Sequence, residues 1–158
     1  MPSNNESNFY PKYAGKEISF IMYNSQNINS LIEHRKNELI DTINVSHNAW
    51  LKSKKQGGNS IEDIIARFDE DRKILRLKKW QSFLISFFNI LKKFERPLYY
   101  QFIDLKYIQK KDNKEIMEQL NLDEVALKNL EIQVKWIAYR YAIKEELFKE
   151  EVLENVPV

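Results

Sequence analysis

The chain has 158 residues, 43% of them hydrophobic, and a formal net charge of +2 from 25 Lys and Arg against 23 Asp and Glu, enough for one compact core or a core with a helical extension. The absence of cysteine excludes disulfides and thiolate metal sites, and two distant histidines, His34 and His47, do not make a metal centre. With three glycines and four prolines, long stretches carry no breaker, so the expected fold class is all-α and no metal or cofactor is expected.

Met1 to Lys12 is polar and rich in Ser and Asn, too poor in apolar side chains to offset the entropy of ordering. It has no apolar signal core, and no run further along is long enough to span a bilayer, so a cytoplasmic protein is expected. Ile18, Phe20, Ile21 and Met22 form a short apolar patch that reads as a strand or a turn. Residues 1–26 are therefore expected to be largely disordered or loosely docked. Ile28, Leu31, Ile32, Leu39 and Ile43 then recur at three-and-four spacing, predicting a helix from about Asn27 to Leu51, with Asn44-Val45-Ser46 as a candidate break. Lys52 to Asn59 reads as a basic linker, because Gly57-Gly58 gives the backbone the freedom to stop a helix. Residues 27–59 thus form a helix plus linker, and Ser60 with Asp63 resembles a capping pair that opens the next helix.

That helix is expected to run to Phe94 with a bend near Asp69 to Asp71. Leu77, Trp80, Leu84, Phe87, Leu91 and Phe94 are spaced alternately three and four apart, the seam of a packed helix, widened by Ile74, Phe83, Phe88 and Ile90. The core of its own domain is favoured over a dimer seam, with a membrane-surface helix as a third reading. Charge is segregated: Arg72 to Phe94 holds seven basic residues and no acidic one, while Glu145 to Glu154 holds five acidic residues and one lysine. Such blocks mark partner surfaces or the solvated faces of separate helices.

Pro97 suits the first turn of a helix whose inner face is Leu98, Phe102, Ile103, Leu105 and Ile108. Asp112 and Glu115 make a capping pair for a short helix to Leu120, Asn121 suits a left-handed turn, and Asp123 caps a longer helix. That helix turns Ala126, Leu127, Leu130, Val134, Ile137 and Ala138 inward and leaves Glu124, Val125, Lys128, Asn129 and Gln133 outside. Helix, short helix, tight turn and longer helix is the order of a helix-turn-helix, whose second helix lies in the DNA major groove. Asn129 and Gln133 match adenine, Lys128 reaches guanine or phosphate, and Lys106, Lys110, Lys111 and Lys114 are placed to grip phosphates.

Phe102-Ile103-Asp104-Leu105-Lys106-Tyr107-Ile108 and Asn113-Lys114-Glu115-Ile116-Met117-Glu118-Gln119-Leu120-Asn121-Leu122-Asp123 resemble the fourth region of bacterial sigma factors. They resemble still more the phage transcriptional regulators of the RinA and ArpU type. The resemblance covers 60–142 in outline and 102–137 in detail. Met117 stands where the family usually has Ala, Asn121 where the turn usually has Gly, and the reading face carries no arginine. The resemblance implies an activator of late phage genes, working in the host cytoplasm, that binds double-stranded promoter DNA and contacts RNA polymerase. The expected organisation is then a DNA-binding domain over 60–149 and an acidic tail over 150–158, with a homo-oligomer left open.

Two other functions stay open: an interaction protein that contacts polymerase without reading DNA, and a small terminase-like DNA-packaging subunit, where the motif is generally N-terminal. No Ser-His-Asp order, phosphate-cradling glycine loop or His-carboxylate metal spacing is present, so no enzyme is expected. Asp69-Glu70-Asp71 and Glu145-Glu146 read as solvated helix charges.

Overall fold

The computed structural model describes residues 9–54, 61–94 and 97–149, the side chains of 43–54 excepted. It is all-α: α1 (Lys12–Tyr23), α2 (Ile28–Lys54), α3 (Ile61–Glu70), α4 (Arg72–Lys93), α5 (Pro97–Ile103), a π-helical turn (Asp104–Ile108), α6 (Asn113–Leu120) and α7 (Glu124–Lys144), with no strand among the described residues. No helix described is long and apolar enough to cross a membrane. The linker expected at 52–59 and the cap at Ser60 fall mostly or wholly outside the described residues, as does the tail at 150–158. The chain divides into two compact units, one holding residues up to Gln26 together with those from Trp80 onward, the other Asn27–Lys79.

In the Asn27–Lys79 unit, the expected bend is a break at a single residue. α3 stops at Glu70, and Asp71 caps α4, its carboxylate accepting the Ile74 amide at 3.0 Å. Arg35 of α2 holds the same carboxylate with two parallel bonds, Nη2 to Oδ1 at 2.9 Å and Nε to Oδ2 at 3.1 Å, the planar fork geometry that guanidinium and carboxylate share. The hydrogen bonds from Arg35, helped by the Ile74 amide, hold Asp71 below the usual carboxylate range despite its partial burial. One aspartate therefore ends one helix, starts the next and ties both to α2.

The other unit is built around α7. The expected seam on α4 is a core face: Trp80, Phe83, Leu84, Phe87 and Leu91 are buried, whereas Leu77 is half-buried and Phe94 is 64% exposed. Its rings meet rings of the same unit, Trp80 against Phe148 at 5.6 Å and Phe87 against Tyr141 at 6.1 Å between centroids.

Residues 12–23, expected to be loose or extended, form a packed helix. A strand would put Ile18, Phe20 and Met22 on one face; instead Ile18, Ile21 and Met22 are buried with Ala14, and Phe20 is 51% exposed. Gly15 decides how closely this helix can be approached. A Cβ there would lie 2.6 Å from the ring of the fully buried Tyr10, a separation that real side chains do not adopt. α1 runs antiparallel to α7: Tyr10, before its start, lies 6.4 Å from Tyr139, while at its end the charge of Glu131 adds to burial in pushing the Tyr23 phenol up.

Candidate nucleic-acid interface

The capping chemistry read from the sequence is present in detail. Asp112 accepts the Glu115 amide at 2.8 Å, and Asp123 accepts the Ala126 amide at 2.7 Å. Between these helices Asn121 is left-handed (φ 54°), and the amides of Asn121 and Leu122 both donate to the Met117 carbonyl. Asparagine tolerates this conformation better than most side chains, so the turn closes without the glycine usual in such motifs. Three residues, Asn121 to Asp123, separate α6 from α7, the length of a helix-turn-helix connection.

The preceding connection is less regular. α5 widens into the π-helical turn, in which the Gln109 amide donates to the Asp104 carbonyl at 2.8 Å, five residues back. Lys110 then takes φ 57°, uncommon for a residue with a Cβ. Its ammonium donates to the carbonyls of Tyr23 and Tyr107 and lies 5.2 Å from the Tyr23 ring centroid. Lys110 thereby fastens the end of α1 to the connection that precedes α6.

Apart from Lys110, the other eight residues singled out by sequence separate into three groups. Glu124, Val125 and Lys128 are exposed on the first turns of α7, and Lys114 and Lys111 stand on and before α6, Lys111 3.6 Å from Glu115. Asn129 and Gln133 lie further round α7 and line a groove, where Gln133 accepts from the Tyr99 hydroxyl at 3.3 Å. Lys106 belongs to neither surface. Its side chain is 13% exposed, its Nζ is 2.7 Å from Glu131, and it lies 5.7 Å from the ring centroids of both Phe102 and Tyr107. A phosphate would have to displace Glu131 to reach it.

Sequence reasoning missed the second buried row of α7. Leu127, Leu130, Val134 and Ala138 are inward as expected, but Ile132, Lys135, Tyr139 and Ala142 are buried as well. Lys135 is the one buried charged residue among those described, and it faces Glu131 at 3.5 Å. Burial pushes the Glu131 carboxyl up, but Lys106 and Lys135 more than offset this and hold it below the ordinary glutamate range. The Glu131 to Lys135 spacing of four was the available sequence signal; the approach of Lys106 is a long-range contact with none.

The groove beside this helix has a volume of about 930 Å³. Asn129, Gln133, Trp136, Arg140 and Lys144 of α7 form one side, and Ile90 of α4 and Phe94, just after its end, stand on the other. The residues after α7 also turn inward: Glu146 has φ 60°, and Leu147 and Phe148 are 3% and 7% exposed. The chain matches no protein-family model, no curated protein and no solved structure.

Proposed function

We propose that the protein is a non-enzymatic, DNA-binding transcriptional regulator of the phage late-gene activator kind, reading double-stranded promoter DNA in the host cytoplasm through the start of α7. The observation that carries this reading is the capped α6–turn–α7 unit, which leaves Glu124, Val125 and Lys128 exposed on the first turns of its second helix. In a helix-turn-helix those are the positions that face base edges. Lys111 and Lys114 lie where phosphate contacts would set the register. Asn129, half-exposed at the mouth of the groove, is the remaining reader, while Gln133 is directed to Tyr99.

The test is selection from a random duplex library at moderate salt. An enriched motif is expected, and Lys128→Ala with Asn129→Ala should weaken binding to it by about 1–3 kcal/mol for each base no longer read, with far less effect on random DNA. Gln133→Ala should leave the preferred sequence unchanged. Lys111→Ala and Lys114→Ala should each reduce the slope of log K against log salt by about 0.9. Absence of any enriched motif, or equal weakening on preferred and random duplexes, would refute direct reading by α7.

A further inference from the structure

The exposed start of α7 presents three side chains of different chemical kinds within little more than one turn. Glu124, Val125 and Lys128 all face solvent, Val125 with 63% of its surface exposed. Among the described residues, no hydrogen bond or ion pair engages the two charged groups. Glu124 offers a carboxylate that only accepts, Val125 an apolar surface, and Lys128 an ammonium that only donates. A carboxylate in the first turn also suits the positive end of the helix dipole. Stability therefore favours an acidic residue here whether or not DNA binds, and its effect on base preference has to be separated from that.

Resting on the reading of α7 as the helix that enters the major groove, we infer that Glu124 selects cytosine by its exocyclic amino group and Val125 selects thymine by its C5 methyl. The donors exposed in the major groove are the amino groups of cytosine and adenine. In an A·T pair the amino group stands between two acceptors, adenine N7 and thymine O4, whereas in a C·G pair an acceptor flanks it on one side alone. A carboxylate thus meets least repulsion at cytosine, and its mismatch with acceptor edges rejects the other bases as firmly as the amino group attracts it. Val125 has no polar atom to place and gains by covering apolar surface, which in the major groove is the thymine methyl. Lys128 is one turn beyond Glu124, about 6 Å along the helix axis, close to two base-pair steps of about 3.4 Å. The expected site therefore holds a cytosine and a thymine within three or four base pairs, with guanine or a phosphate at Lys128.

The experiment is duplex selection with the full chain and with Glu124→Gln and Val125→Ser, followed by fluorescence anisotropy on defined duplexes and urea unfolding of each variant. The native chain should enrich a motif containing a cytosine and a nearby thymine. Glu124→Gln should move the cytosine position toward adenine, whose N6 and N7 suit a carboxamide, changing the cytosine-to-adenine preference at least tenfold. Deoxyuridine, which lacks the methyl, should weaken native binding several-fold at the thymine position, and Val125→Ser should bind both duplexes alike. Lower stability of Glu124→Gln with its base preference unchanged would leave Glu124 as a helix-end charge and overturn the inference. Equal strengthening on every duplex would overturn it too, as relief of repulsion from phosphates. A motif that is enriched but indifferent to both substitutions and to the methyl would refute these base assignments while leaving reading by Lys128 standing. Absence of any enriched motif would remove reading by α7 itself, and these assignments with it.

Discussion

The two ends of α7 have opposite surroundings. At its start Glu124, Val125 and Lys128 face solvent, and the local chemistry of Asp123 and Asn121 is enough to place them. From Leu130 to Ala142 two rows of side chains are buried, and α1 lies along part of the second row. A helix covered on more than one side needs no polar stripe, so it carries little of the periodic signal by which helices are recognised. The contrast shows which end is held by its own caps and which end holds the unit together.

Removing core from the covered end should have the largest effect. Phe148 packs its ring against Trp80 and Tyr139 at 5.6 Å from each. Phe148→Ala should cost about 3–5 kcal/mol in urea unfolding; a drop under 1 kcal/mol would show that the turn after α7 is not part of this core. Gly15→Ala should cost about 1–3 kcal/mol, since Tyr10 must move from a fully buried site. Lys106→Ala should destabilise by about 1–3 kcal/mol by depriving Glu131 of its closest partner, and it should not change the salt dependence of duplex binding. A clear fall in that salt dependence would return Lys106 to the phosphate contacts.

The same carboxylate gives the covered end a pH dependence. Its folded pKa is depressed, so its contribution is complete above the ordinary glutamate range and disappears as pH falls through the folded value. Unfolding of the native chain should therefore lose more stability between about pH 5 and about pH 3 than unfolding of Glu131→Gln. Parallel curves for the two proteins would remove Glu131 as a source of this dependence. At the open end the effects are smaller. Asp123→Ala should cost about 1 kcal/mol through the missing cap, and Val125→Ser should change stability by less than about 0.5 kcal/mol. A large destabilisation from Val125→Ser would mean that the start of α7 is covered too.

Much of this arrangement was legible because its causes are local. Asp112, Asn121 and Asp123 act on amides and dihedrals within a few residues of themselves, so their roles survive reading in one dimension. The break at Asp71 was legible for the same reason, although its bond to Arg35 was not. α1 was not legible. The run Phe20-Ile21-Met22 suits a strand as well as a helix, and the deciding fact, the closeness of Tyr10 to Gly15, is a property of the packed structure. Among the candidate site residues, Glu124, Val125 and Lys128 could be found by subtracting the inner row of α7. Lys106 could not be separated from an exposed lysine, because Glu131 lies 25 residues away. Phe148 was hidden among acidic neighbours; the left-handed Glu146 that turns it inward carries no mark in its residue type.

The division of α7 also bears on how such a protein can diverge. Substitutions at Glu124, Val125 and Lys128 meet no packed neighbour, so they can accumulate without compensating changes elsewhere. Changes in the two buried rows must be matched by α1, α4 and the turn through Phe148. Descendants of this chain can therefore change the surface at one end of a single helix while its other end stays nearly constant.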